Sequence, residues 1–288
     1  GFDVLLIGRQ LKNSVALKRS YNTLRLQLLF TKGFLFYAEF NLRLFFVLIF
    51  KKKHILLSND LDTLLPNFLV SKIQRKKIVY DSHELFPEVP ELVNRPLVKK
   101  TWEKLESFLL PKIKNSYTVC DSIKSYYNKK YKTNFITIKN LPLQKSIQPE
   151  NELLQTKGKN TIIYQGALNV GRGLDLMIET MTYMDDTLLV IIGDGDISHQ
   201  LKHKAQELSL EKKVIFMGKI APKKLATITP NANVGISFEE DLGLNYRFAL
   251  PNKIFDYIQA EVPILVSNLP EMKQVVNEFN VGEVLTSR

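Results

Sequence analysis

A chain of 288 residues is long enough for two domains of ordinary size, and 45% hydrophobic with 24% charged residues excludes a disordered or fibrous protein. The lone Cys120 excludes an intramolecular disulfide and is too few for a structural zinc site, so a reducing compartment is the expectation. The net charge of +11 is unevenly shared: residues 1–150 hold 26 Lys/Arg against 12 Asp/Glu, net +14, while residues 151–288 hold 14 against 17, net −3.

The chain opens at Gly1 on the strand-like run Phe2–Ile7 with no basic-then-apolar leader before it, which reads as the start of a fragment. Apolar runs predict strands at Asp3–Gly8, His54–Ser58, Lys77–Tyr80, Tyr117–Cys120 and Phe135–Ile138. In the second half they predict Thr161–Gln165, Thr187–Ile192, Val214–Met217, Val234–Ser237 and Pro263–Val266. Helical patterns separate them, among them Leu61–Gln74, Val98–Lys112, Ile123–Tyr131, Leu174–Met181 and Ile197–Leu208. Two successive parallel sheets, and so two Rossmann-like α/β domains at residues 1–145 and 146–288, follow from that alternation. The polar segment Leu143–Asn160 has no apolar period and reads as their linker.

Gly33–Phe50 is apolar or aromatic at fourteen of eighteen positions and is followed by Lys51-Lys52-Lys53. Glu39, Asn41 and Arg43 interrupt it, and a bilayer span needs about 20 apolar residues, so a transmembrane helix is disfavoured. It is either a sheet-packing core helix or one that lays Phe, Leu and Tyr on a membrane interface with lysines at the headgroups. The basic first half suggests an anionic partner, nucleic acid or an acidic membrane surface, with a lysine-rich composition lacking any specific partner as the alternative. No nucleic-acid-binding motif is visible, so no nucleic acid is expected and the membrane surface is preferred.

Four segments carry candidate chemistry. Leu250-Pro251-Asn252-Lys253 reads as a helix start, with Ile254, Phe255 and Ile258 as its buried stripe and a core strand after it. A helix end beside a core strand is a phosphate site; Lys253 adds charge and Asp256 suits a sugar hydroxyl. The plainer alternative is an exposed Lys253–Asp256 ion pair. Tyr80-Asp81-Ser82-His83-Glu84 follows a strand directly, so His83 and Glu84 emerge at the carboxyl edge of the first sheet with Asn59 and Asp60. His83 can hydrogen-bond a sugar or diphosphate oxygen, although a lone histidine is more often structural. Gly166, Gly171 and Arg172 lie in a glycine-rich loop between strand and helix, where backbone approaches phosphate and Arg172 offers a fork of donors. Gly193-Asp194-Gly195 and Gly218-Lys219 are turns after strands, tight turns being the plainer reading of both. Neither Asp60-x-Asp62 nor Asp194-x-Asp196 comes with a ligand cluster, so no catalytic metal and no cofactor is expected.

The order of these motifs, Asp81-Ser-His-Glu-Leu-Phe-Pro-Glu88, Gly166 to Gly173, Gly193-Asp-Gly195 and Pro251-Asn-Lys253, resembles the retaining glycosyltransferases of family 4, also called glycosyl transferases group 1. The resemblance spans the chain, trimmed at both termini of the opening strand, first loop and helix and of the last helix. It implies the GT-B fold, two Rossmann-like domains with parallel sheets facing a central cleft: an N-terminal acceptor domain and a C-terminal nucleotide-sugar domain. It implies His83, Arg172 and Lys253 as catalytic residues, and an acceptor side of Asn59, Asp60, His83 and Glu84. The donor site it implies comprises Gly166, Gly171, Arg172, Gly195, Gly218, Lys219, Pro251, Asn252, Lys253 and Asp256. The activity implied is retaining, hexosyltransferase-type transfer from a nucleoside-diphosphate sugar to a saccharide or lipid-linked acceptor in cell-surface polysaccharide synthesis. Its place would be the cytoplasm, at the inner face of the membrane. Departures are Ala167 for the first of two usual loop cations, Phe248 for the first glutamate of Glu-x7-Glu, Asp256 for the second, and Glu261 for the usual glycine. Sugar recognition would then fall to backbone at Leu250–Asn252 or to Tyr246, Arg247 or Glu240. An epimerase acting on a nucleotide sugar and a non-catalytic subunit of the same fold are the alternatives.

Overall fold

The computed structural model describes residues 1–12, 14, 16–89, 92, 95–144 and 159–286. The chain divides into two compact units, Gly1–Thr118 with Lys124–Thr137, and Val119–Ile123 with Ile138–Arg288. Most of the expected linker, residues 145–158, lies outside the described residues.

In the first unit β1 (Leu5–Arg9) pairs in parallel with β2 (Asn22–Leu26), and β3 (Ile55–Asn59), β4 (Lys77–Ser82), β5 (Asn115–Thr118) and β6 (Ile136–Thr137) form a second parallel sheet in that order. The helices are α1 (Gly33–Phe50), α2 (Leu64–Ile73), α3 (Pro96–Leu109) and, from Lys124 onward, α4 (Asp121–Tyr131). The four-residue step of Phe36, Phe40, Leu44 and Leu48 gives α1 one buried side, packed with Leu26, Leu56 and Val70.

Six strands of the second unit, β7 (Asn160–Gln165), β8 (Thr187–Ile192), β9 (Val214–Gly218), β10 (Val234–Ser237), β11 (Ile264–Ser267) and β12 (Gly282–Leu285), are all parallel in the order β12-β11-β10-β7-β8-β9. Leu188–Ile192 of β8 are buried without alternation, the signature of a sheet covered on both faces. One cover holds α5 (Leu174–Thr180) and α6 (Ser198–Glu207); the other holds α7 (Pro222–Ile228), α9 (Asn252–Gln259) and α10 (Pro270–Phe279), with α8 (Leu244–Arg247) a single turn between them in sequence. The chain steps outward from β7 to β8 to β9, then returns to lay β10 on the other side of β7. That reversal is a topological switch point, where open α/β sheets bind ligands.

Two strands escape the apolar pattern: β2 because Asn22, Thr23 and Arg25 interleave polar residues into a short edge, and β12 because it begins at Gly282 and carries Glu283. β5 starts at Asn115, two residues before the expected Tyr117, and the expected Cys120 lies beyond its end because α4 begins at Asp121.

At the end of α9, Val262 N–H donates to Tyr257 O and Glu261 N–H to Ile258 O, both at 3.0 Å, which closes the helix with the residue after its C-cap Ala260 left-handed. Glu261 occupies that position at φ +57°, where a β-carbon crowds the following carbonyl. Glu261→Gly should therefore stabilise the protein by roughly 0.5–1 kcal/mol in urea unfolding; a loss of stability would mean the glutamate side chain contributes more than its backbone costs.

Candidate active site

Strands β7, β8 and β9 each run into a glycine at the carboxyl end. Gln165 pairs with Ile192 and Ile192 with Gly218; Gly166 N–H donates to Ile192 O and Gly193 N–H to Gly218 O, each at 2.9 Å. Three turns far apart in sequence thus become neighbours along one sheet edge. Gly166 and Gly193 have φ +143° and Gly218 φ +68°, conformations that favour glycine.

Across the switch point β10 continues into Phe238-Glu239. Glu239 lies two residues beyond Ser237, on the same side of an extended chain, and is fully buried. Lys253 Nζ donates to its Oε1 at 2.8 Å, Arg172 Nη1 to the same oxygen at 3.1 Å, and Ser237 Oγ to Oε2 at 2.6 Å. Burial pushes the Glu239 carboxyl up, but Lys253, Ser237 and Arg172 together bring it below its ordinary value. The carboxylate is therefore ionised at neutral pH and clamps two cations, one from the glycine-rich loop and one from the first turn of α9. Lys253 is only 8% exposed, stacked over the Tyr164 ring at 4.1 Å and committed to Glu239, so the alternative of an exposed Lys253–Asp256 pair is corrected. Asp256 instead accepts from Gln165 Nε2 at 3.0 Å, and burial raises its carboxyl against that bond. Gln165 is fixed in turn by Thr229 Oγ1 at 2.9 Å. Pro251 stands at the N-cap rather than inside the first turn of α9, and no side chain caps that end.

Beside this cluster lies a cavity of about 260 Å³ formed by Tyr164–Ala167, Arg172, Leu225, Pro251–Lys253 and Asp256. Of the expected donor residues, Gly166, Arg172, Pro251, Asn252, Lys253 and Asp256 come together there. Arg172 Nε is buried without a partner, a donor aimed at no protein acceptor. Gly171, Gly195, Gly218 and Lys219 do not line the cavity. Gly171 lies under Tyr246, whose hydroxyl donates to Val170 O at 2.8 Å and so braces the glycine loop. Gly195 N–H is taken by Asp194 Oδ1 and Ser198 Oγ at the start of α6. Lys219 is exposed, 3.4 Å from Asp194. Arg247 forms an exposed pair with Asp241 at 2.9 Å. Glu239 and Gln165 escaped the sequence reading. Their signal was a polar residue at, or two beyond, the end of a buried strand.

In the first unit the edge after β3 and β4 gathers Asn59, Asp60, His83 and Glu84. Asp60 Oδ1 accepts from His83 N–H at 2.9 Å, and Asp60 N–H donates to Asp81 O at 2.8 Å. Asp60 has φ 55° and ψ 170°, a region nearly reserved for glycine, and such strain clusters at functional sites. His83 Nε2 lies 2.9 Å from Asp81 Oδ2, which also accepts from Tyr117 Oη at 2.8 Å. That hydrogen bond outweighs burial and raises the imidazole above its ordinary value. Asp62, desolvated and near Asp60, is pushed up to about 6. Among the described residues no group of three or more His, Cys, Asp or Glu side chains is placed to hold a metal ion.

Residues 147–288 match the family described as Glycosyl transferases group 1. A curated relative, alpha-monoglucosyldiacylglycerol synthase of Streptococcus pneumoniae, is 23% identical over 131 residues, 43% of this chain but only 28% of that protein. Sucrose-phosphate synthase from Thermosynechococcus elongatus superposes with a TM-score of 0.78 at 15% identity, over 99% of this chain and 76% of its own. Anabaena HepE, solved with UDP and glucose, gives 0.71 at 13% identity over 92% and 73%. The chain is thus similar over residues 147–288 to the Glycosyl transferases group 1 family, and its fold is the GT-B fold of glycosyltransferases.

Proposed function

We propose that the protein is a glycosyltransferase that takes a sugar from a nucleoside diphosphate to a saccharide or lipid-linked acceptor. The observation that carries this reading is the convergence of Arg172 and Lys253 on the buried Glu239 beside the Gly166 turn, at the switch point of the second sheet. Two cations fixed by one buried carboxylate at this cavity suit a diphosphate. In this reading Arg172, Lys253 and the uncapped start of α9 stabilise the departing diphosphate, without a resident metal. Asp256, positioned by Gln165, takes a sugar hydroxyl. Support from relatives is that HepE was solved with UDP and glucose. Retention of configuration, with the leaving phosphate accepting the acceptor's proton, is proposed from the family resemblance. His83 and Asp60 are assigned to the acceptor.

The hexosyl donor, the role in cell-surface polysaccharide synthesis and a cytoplasmic site at the inner membrane face belong to the same proposal, the last supported by the basic first half. A thermal-shift screen of UDP-, GDP- and ADP-sugars tests it: one nucleotide series should raise Tm with concentration, because a ligand that binds only the native state stabilises by mass action. No shift with any of the three overturns the donor site. Turnover of the donor with no acceptor present would replace transfer by epimerisation.

A further inference from the structure

We propose that the outward face of α1 is the surface on which the protein lies against an anionic lipid bilayer. This deepens the membrane assignment just made and uses nothing of the donor cavity. α1 has a mean hydropathy of 1.6 over 18 residues, long and apolar enough to cross a membrane by composition, yet only 22% of it is buried. Its inner side is committed: Phe36, Phe40, Leu44 and Leu48 pack into the core of the first unit. A spanning role would strip that core, so the helix lies along the surface. The same four-residue step on the opposite side brings out Phe34, Leu42, Phe46 and Phe50, exposed at 81, 59, 51 and 84%. A helix apolar all round with one side uncovered needs an apolar medium on that side.

Polar groups on α1 are disposed to permit this. Asn41 spends its amide on Tyr37 O and Asp62 O, at 2.8 and 2.9 Å. Glu39 accepts from Leu29 N–H and Phe30 N–H and pairs with Arg43 at 2.8 Å. Those bonds, the Phe30 amide first, hold its carboxyl below the ordinary value and also pin the exposed Leu29 and Phe30 beside the helix. The one carboxylate on α1 is thus matched internally and offers anionic headgroups no net repulsion. At the helix end Lys53 turns back, donating to Leu48 O and Lys51 O, while Lys51 and Lys52 stay exposed. The segments of the first unit hold 24 Lys/Arg against 10 Asp/Glu, net +14. Such an excess repels a second copy and attracts acidic lipid, which selects the bilayer as occupant.

Co-sedimentation of the purified protein with vesicles of phosphatidylcholine, alone or mixed with phosphatidylglycerol, tests this. The wild type should bind the mixed vesicles and bind the neutral ones weakly. Phe34→Ser/Phe46→Ser and Lys51→Glu/Lys52→Glu should each lower binding by about tenfold or more while keeping Tm and any nucleotide-induced shift. In Phe34→Trp, indole emission should move to the blue on adding mixed vesicles and not with neutral ones. If the wild type binds no vesicle, both the membrane assignment and the α1 surface fall, and the donor site stands. Undiminished binding by both variants, with no blue shift, leaves membrane contact intact but removes α1 from it. A concentration-dependent dimer that the Ser variant dissolves, without lipid binding, overturns the proposal in favour of a second copy.

Discussion

Lys253→Met should destabilise the protein by about 3–5 kcal/mol in urea unfolding, since it strands a buried carboxylate. Glu239 is fully buried and keeps its charge through Lys253, Ser237 and the partly exposed Arg172. With the ammonium gone, Glu239 must either lose its charge or rest on the partly exposed Arg172 as its one cation, and both disturb the cavity. Lys253→Met/Glu239→Gln removes the pair together and should regain most of that loss, because a neutral amide can keep the Ser237 bond. Its affinity for the nucleoside diphosphate that the thermal-shift screen selects should still fall by about tenfold to a hundredfold, the worth of a charged hydrogen bond to phosphate. Acid gives an independent check. The folded-state pKa of Glu239 is depressed, so its contribution is fully present above the ordinary carboxyl value of 4.5 and fades as pH falls through the folded value. Wild type and double variant should therefore converge in stability in acid. A single variant that loses less than about 1 kcal/mol would show that the pair is no more than an exposed ion pair in effect.

Much of this was legible from residue pattern. Buried runs such as Leu188–Ile192 announce doubly covered strands, and Pro251-Asn252-Lys253 ahead of an apolar stripe announces α9. What pattern lacks is strand order. Nothing local says that β10 returns to the far side of β7, yet that return is what sets Glu239 beside Arg172 and Lys253. A glutamate after a strand looks like a solvated loop residue until its two partners arrive from 67 residues upstream and 14 downstream. The same blindness lets Lys253 look exposed, and lets Glu240 stand in for its neighbour. The glycine turns fare better, because a positive φ leaves a residue-type signature that no partner is needed to read. Even so, sequence does not tell Gly195, packed on Leu168 and Asn169, from Gly166, which faces the cavity.

Gly193→Ala should be the most damaging single methyl group in the second unit. At φ +143° an L side chain is strained, and its β-carbon would lie 1.8 Å from the Gly166 carbonyl oxygen, backbone that cannot swing aside. Strain and overpacking together should cost about 3 kcal/mol or more. Gly218→Ala is the matched control: φ is +68°, but nothing lies within 4 Å of the added carbon, so only the backbone term of about 1–2 kcal/mol applies. The difference between the two variants isolates the contact between the β7 and β8 turns. Because Gly166 lines the cavity and Gly193 does not, the clash should also reach the ligand: Gly193→Ala should weaken binding of the nucleotide that the screen selects, whereas Gly218→Ala should leave it near the wild-type value. Equal losses of stability in both variants would mean that the two turns part freely, and a cavity edge so loose could not hold a phosphate against its backbone.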